Sequence, residues 1–271
     1  MIEFKNVSFS YNAKSPVLKN INAVFEAGKS YSVIGRSGCG KSTLLRLMNG
    51  LLKPQSGNIY VDGANITSKS ADLKPVRKNV GLVFQYPEHQ LFAETVEEDI
   101  AFGPSNIGMS DVNTKVKTAI EAVGLTSDIL TKSPFEISGG EQRKVAIAGV
   151  IAMEPNTIVL DEPSAGLDPV SSSELFKMLQ NYKSNGKTVI FASHNMKEAA
   201  MYSDEIYIIN NGEIFMHGTP KEIFERANDL KNIGLALPQI AELMLSLKEN
   251  GFGMRISYDL ENALEEIGIF L

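Results

Sequence analysis

The sequence predicts an α/β protein built around a phosphate-binding loop, and two stretches carry that reading. Residues 35–43 read GRSGCGKST and fit G-x-x-x-x-G-K-[ST], with Gly35, Gly40, Lys41 and Ser42 in the fixed places. Residues 31–34 before the loop form a short, mostly apolar run of buried-strand type. Leu44, Leu47 and Met48 after it recur at helical spacing, and Gly50 closes that run. Further along, residues 157–160 (TIVL) make another short apolar strand, which delivers Asp161 and Glu162 before Pro163 ends it.

In such a loop, glycines let backbone N–H groups turn inward around phosphate oxygens, and the following helix start adds partial positive charge. Lys41 would then reach the β- and γ-phosphates, and Ser42 would hold Mg²⁺. The bare pattern arises by chance in about one chain in a hundred of this length. The strand and helix on either side favour a nucleoside triphosphate site over a chance turn. Asp161 and Glu162 have a plainer reading as a solvated pair at a strand end. Beside a phosphate loop, Asp161 fits a Mg²⁺ partner and Glu162 can polarise an attacking water.

With 271 residues, the chain has room for one large domain and a small appendage. Hydrophobic residues make up 43% and charged residues 21%, as in ordinary globular proteins, and no apolar run is long enough to span a membrane. The N-terminus alternates like a strand and lacks the form of a signal peptide. Cys39 is the only cysteine, so no internal disulfide can form, and a reducing cytosol fits. A net charge of −6 without a basic cluster argues against a nucleic-acid partner.

Taken in order, residues 2–9 and 17–25 read as strands joined by a loop at 12–16. Tyr11 is either a surface ring or a platform for a purine. Residues 58–61 and 79–84 read as strands, the second followed by Gln85, a candidate for sensing Mg²⁺ or a water. Thr95 and Glu98 form a capping box that opens a helix. Val116, Ala119, Ile120 and Val123 make one apolar helix face, ended by Gly124. Ser138-Gly139-Gly140-Glu141 opens another helix, either as a plain S-x-x-E capping box or as a second anion grip. Residues 164–169 turn into a helix with Leu175, Met178, Leu179 and Tyr182 on one face. Residues 187–191 form a strand with His194 near its end, where it can donate to a γ-phosphate; His89 and His217 read as structural. Asn210-Asn211-Gly212 marks a hairpin between 206–209 and 213–216. Amphipathic helices follow Pro220, one marked by Ile240, Leu243, Met244 and Leu247 and a weaker one at 259–267. The Gly251-Phe252-Gly253 step suggests a joint.

As a set, these features resemble an ATP-binding cassette (ABC) ATPase over roughly residues 1–225. They comprise Tyr11, the Walker A loop 35–43, Gln85, the signature SGGEQ at 138–142, the Walker B strand with Asp161 and Glu162, Asp168 in SAGLDP, and His194. The segments FQYPEHQLF, TVEEDIAFGP and SPFEISGGEQRKVAIAGVIAMEP, and the C-terminal LPQIAELMLSLKENGF, are similar to the ATPases of energy-coupling factor (ECF) transporters. They look closer to the second of that family's two paralogous types. Cobalt and nickel importer ATPases are the near alternative, and a nucleic-acid ATPase of the superfamily is the remote one.

The resemblance implies a P-loop core with a mostly parallel sheet, an N-terminal antiparallel β subdomain, an α-helical signature subdomain at about 94–152, and a C-terminal helical extension at 226–271 that contacts a dimer partner. It implies that ATP is held by Gly35, Ser37, Gly38, Cys39, Gly40, Lys41, Ser42 and Thr43, with Tyr11 stacked on adenine. Ser138 with the amides of Gly139 and Gly140 of a facing subunit would clamp the γ-phosphate, with Glu141 beside them in the nucleotide site. Mg²⁺ would be held by Ser42, Gln85 and Asp161, while Lys41, Gln85, Glu162 and His194 carry the catalysis and Asp168 links the two sites. The implied partners are a second ATPase, more a paralogue than an identical copy, a transmembrane coupling subunit with a separate substrate-binding membrane protein, and no nucleic acid. That places the chain on the cytoplasmic face of the cell membrane, powering uptake of vitamins or other micronutrients. Tyr86, His89, Leu91 and Phe92 are candidates for contact with the membrane partner or, alternatively, for ordinary packing of the two lobes. Four positions depart from the family pattern: Cys39, which suggests a thiol-sensitive loop, Glu141, whose carboxylate would repel a phosphate, Ser164 and Asn195.

Overall fold

The computed structural model of the chain describes residues 1–12, 15–86, 90–253, 256–258 and 260–268. Alternating apolar residues form β1 (Ile2–Ser10) and β2 (Pro16–Phe25), which pair antiparallel. On its other edge β1 pairs antiparallel with β4 (Ser56–Val61), and the two-residue β5 (Ala64–Asn65) ends the sheet, in the order β2-β1-β4-β5. Its inward residues Phe4, Phe25 and Ile59 share one apolar cluster with Leu44 and Leu47 of α1 (Lys41–Met48).

The central sheet uses β3 (Ser30–Ile34), β6 (Val80–Val83), β7 (Thr157–Asp161), β8 (Thr188–Ser193), β9 (Glu205–Asn210) and β10 (Glu213–Gly218). Their order is β10-β9-β3-β8-β7-β6, with only the β9–β10 hairpin antiparallel. Every residue of β3, β7 and β8 is buried, the mark of parallel strands covered on both faces. Ile34 aligns with Ser193, Leu160 with Phe191 and Val83 with Leu160. The residues that follow β3, β8, β7 and β6 therefore emerge together at one carboxyl edge, where open α/β sheets place their ligands.

Helices α3 (Val96–Asn106), α4 (Val112–Ala122) and α5 (Gly139–Ile151) follow β6, with a 3₁₀ turn at Ser127–Ile129. Thr95 caps α3 reciprocally with Glu98, as the sequence predicts. Ile100, Val116, Ile120 and Val145 pack with Ile158, Phe176 and Phe191 in a second cluster. After β7 come α6 (Pro169–Ser184) and α7 (Met196–Tyr202), the latter following β8. The tail adds α8 (Pro220–Glu225), α9 (Ala227–Asn232), α10 (Gln239–Glu249) and α11 (Leu260–Gly268). Phe224, Leu230, Met244 and Ala263 pack with Ile34, Ile206 and Ile208 in a third cluster, so the tail rests on the sheet near the end of β3.

Two details differ from expectation. The strand expected over 79–84 starts at Val80, because residues 74–79 form a six-residue helix, α2 (Lys74–Asn79), with proline in its first turn. Leu91, a candidate for the partner contact, instead takes the packing alternative: it is 7% exposed and lies in the second cluster. His89, its neighbour in that expectation, falls outside the described residues, while Phe92 is exposed and edge-on to Phe102 at 4.7 Å.

Candidate active site

Between β3 and α1 the chain must reverse tightly around its own amides, and two glycines make that turn feasible. Gly40, the N-cap of α1, has φ 112°, a region that side chains disfavour. A Cβ on Gly35 would lie 2.4 Å from the Ile209 carbonyl oxygen and 2.5 Å from Cys39 Sγ, so no larger residue fits. Lys41 at the helix start is buried, and its Nζ donates to the Gly35 carbonyl at 2.8 Å. Tyr11 reaches the same loop: its hydroxyl lies 3.2 Å from Thr43 Oγ1, its ring is edge-on to Phe9, and the residue is 59% exposed. An open cleft of about 1000 Å³ borders the loop at Ser37, Gly38 and Cys39. Among the described residues its charged lining is Lys19, Arg36 and Lys231, a basic surround suited to phosphates.

β7 delivers the acids. Asp161 is 4% exposed, hydrogen-bonds the Ser42 hydroxyl, and leaves Oδ1 buried without a partner. Burial pushes its carboxyl above the ordinary aspartate range, with the Ser42 bond opposing. A buried orphan oxygen beside a hydroxyl suits a Mg²⁺ that draws its other ligands from water and phosphate. Among the described residues no group of three or more His, Cys, Asp or Glu side chains could hold a metal unaided. The donor set therefore fits a metal that arrives with its nucleotide.

Glu162 has φ 49°, left-handed for a residue with a side chain, and its N–H donates to Ala192. Strain of this kind gathers at functional positions. The turn aims the carboxylate across the sheet edge. One oxygen lies 2.8 Å from His194 Nδ1 and the other 3.6 Å from Lys41 Nζ. Nδ1 is thus engaged, and the exposed Nε2 edge of His194 is left for another group. Lys41, Ser42, Asp161, Glu162 and His194, with Tyr11, come together at one edge. The geometry gathers a buried carboxylate, a buried cation and a hydroxyl–carboxylate pair beside the loop.

Gln85 directly follows β6 and Phe84, and its carbonyl accepts from Arg143 Nη2 at 3.1 Å. Ser138, Gly139, Gly140 and Glu141 stand at the start of α5, and among the described residues none of their hydrogen bonds reaches the loop. There the plain capping box is realised. Glu141 Oε2 accepts from the Ser138 N–H at 2.8 Å and from its hydroxyl at 2.7 Å, while Glu141 N–H donates back to Ser138 Oγ. Those bonds hold the Glu141 carboxyl below the usual range and fold it onto its own helix end. Asp168 likewise caps α6, accepting from the Val170 and Ser171 N–H groups. His217 is structural, bonded to Glu205 at 2.7 Å and stacked on Tyr207. Two contributors escaped the sequence reading: Arg143, which had no local signal, and Arg36, whose guanidinium packs against Gly234 beyond α9.

Three comparisons bear on this geometry. The family model for the ABC transporter matches residues 18–165. The energy-coupling factor transporter ATP-binding protein EcfA2 of Caldanaerobacter subterraneus is 48% identical over 257 residues, covering 92% of this chain and 90% of that protein. Its counterpart from Clostridium perfringens is 46% identical over 261 residues, with 93% and 92% covered. Among solved structures, cbiO1 from Clostridium perfringens, described as part of the ABC transporter complex cbiONQ, is 35% identical. It matches with a TM-score of 0.76 over 90% of this chain and 98% of that one. The ATP-binding cassette MJ0796, solved as a dimer bound to ADP and Pi, is 27% identical and matches with a TM-score of 0.74, covering 81% and 99%.

Proposed function

The chain belongs to the energy-coupling factor transporter ATP-binding proteins within the ABC family, and from that premise we propose that it works as one half of an ATPase dimer driving a membrane importer. It is an ABC-type ATP hydrolase and binds ATP. The observation that carries the reading is the Glu162 carboxylate held between His194 and Lys41, beside the Ser42–Asp161 pair.

Lys41 and the amides of residues 38–43 take the β- and γ-phosphates, and the exposed face of Tyr11 takes adenine. Ser42 and Asp161, with Gln85, would hold Mg²⁺, whose charge would offset that of the phosphates when bound. Glu162 orients and polarises the attacking water, and His194 offers Nε2 to the γ-phosphate. Ser138, exposed at the start of α5, meets the nucleotide of a facing subunit, since among the described residues it makes no bond to the loop of its own chain. The ATP then bridges two subunits and its hydrolysis releases them, with Asp168 at the seam between the two sites.

The partner is a paralogous ATPase, and the 226–271 extension, with Leu243, Leu260 and Leu264 exposed, adds to the contact. A transmembrane subunit docks at Tyr86, Phe92 and Phe102, at the edge of the lobe formed by residues 94–152, and a separate membrane protein selects a vitamin or similar micronutrient. No described helix is long and apolar enough to cross a membrane, which is compatible with peripheral attachment at the cytoplasmic face. The likeness to cbiO1, part of the ABC transporter complex cbiONQ, supports a subunit of a transporter complex, and a cobalt or nickel importer ATPase is the second reading.

The test is affinity purification from membranes with ATPase assay of what is recovered. A second cassette and a polytopic subunit should co-purify, with turnover confined to the assembly. A monomer that hydrolyses ATP as fast, with Ser138 dispensable, overturns the proposal.

A further inference from the structure

Arg143 lies in α5, five residues beyond Ser138, and is 8% exposed. Its Nη1 donates to the Pro163 carbonyl at 2.7 Å and to the Ala165 carbonyl at 2.6 Å, and its Nη2 donates to the Gln85 carbonyl at 3.1 Å. One planar guanidinium therefore ties three segments: the helix that begins with Ser138, the chain leaving β6, and the turn after β7. That turn starts at Glu162 and closes on it, since the Ala165 N–H donates to the Glu162 carbonyl at 3.1 Å.

We propose that Arg143 is a positioning residue that couples the placement of Ser138 to the placement of Glu162 and Gln85. The inference rests on the functional reading above. An α-helix is stiff along its axis, and five residues separate Ser138 from Arg143 by about 7.5 Å. A push on the helix start, as when Ser138 engages a facing nucleotide, moves the guanidinium with it. A buried charged donor keeps its acceptors, because leaving them unmade is costly. The carbonyls of 163, 165 and 85 therefore follow, and the strained Glu162 backbone shifts with its turn. The arrangement makes one subunit's water-polarising residue responsive to the nucleotide of the opposite site. Arginine suits the task because its fork offers several donors in fixed directions, whereas lysine offers a rotating point charge.

The test compares wild type, Arg143→Lys and Arg143→Gln in the assembled complex. Arg143→Gln should lower kcat for ATP at least tenfold with KM within twofold, and Arg143→Lys should fall between. Hydrogen exchange on the isolated chain should quicken at residues 84–86 and 164–168 in Arg143→Gln, while β7 and β8 stay protected. Unchanged kcat, or a loss that merely tracks the folded fraction with exchange raised throughout, overturns the coupling. If Arg143→Gln does not fold, Arg143→Lys is held to the same kcat, KM and exchange criteria. A wild-type complex without turnover counts against the functional reading instead, and the exchange pattern still decides the link.

Discussion

Glu162 Oε2 lies 2.8 Å from His194 Nδ1, across the gap between the ends of β7 and β8. The pairing aims the carboxylate and consumes one imidazole nitrogen. Glu162→Gln keeps the shape and removes the charge that polarises water. In the assembled complex kcat should drop by about 10²-fold or more, while ATP still binds and holds the dimer closed. ATPase assay together with size-exclusion of the ATP-loaded variant checks both halves. Normal turnover would remove Glu162 from its role.

Asp161→Asn should separate stability from activity. Burial raises the Asp161 carboxyl, so the folded chain holds that proton more tightly than the unfolded one. Its contribution is favourable below the ordinary aspartate value, about 3.9, and is lost as pH rises through the higher folded value. At pH 7.5 and without metal the ionised, orphaned oxygen is a net cost, on the order of 1 kcal/mol. The asparagine variant in EDTA should therefore melt roughly 2–4 °C higher than wild type, and the gap should shrink toward pH 4. Mg²⁺-dependent hydrolysis should vanish. A variant that melts lower at pH 7.5 contradicts the account.

How much of this was legible beforehand follows from how local each feature is. The loop 35–43 and the acids at 161–162 are readable because their chemistry fixes spacing within a few residues. The capping boxes at Thr95 and Ser138 are readable for the same reason, and both form. Strand order is not local: β3 sits between β8 and β9, which come from the far end of the chain. Arg143 was invisible because its three acceptors converge only after folding. Leu91 could be read either way because the short run QLF has no period from which to tell inside from outside. The left-handed φ of Glu162 leaves no mark in a sequence that any acidic strand end could share.

Ser138 carries two roles that substitution can part. Its hydroxyl caps α5 with Glu141 and is proposed to clamp a facing phosphate. Ser138→Ala should lose about 1 kcal/mol of stability through the cap and also lose turnover. Ser138→Asn keeps a capping side chain, so it should melt like wild type and still fail to hydrolyse ATP in the assembly. Thermal midpoints and ATPase rates of the two variants check this. Full turnover by Ser138→Asn would leave the serine as a cap and nothing more.

Cys39 replaces the expectation of a readily attacked thiol with a protected one. Burial raises the thiol above its usual range, against a smaller opposing pull from Lys41, so little thiolate exists at neutral pH and thiolate is the reactive form. Alkylation by iodoacetamide at pH 7.5 should be slower in the folded chain than in denaturant, and its rate should still be climbing past pH 8.5. The thiol also rests directly against Gly35, whose carbonyl holds Lys41 Nζ. Cys39 belongs to that loop and borders the cleft beside it, so the modified chain should lose ATP binding, and bound ATP should slow the modification. Mass spectrometry of the labelled chain over a pH series, with and without ATP, reads all three effects. A rate that levels off below pH 7, or a labelled chain that binds ATP normally, is incompatible with a thiol wedged beneath the phosphate loop.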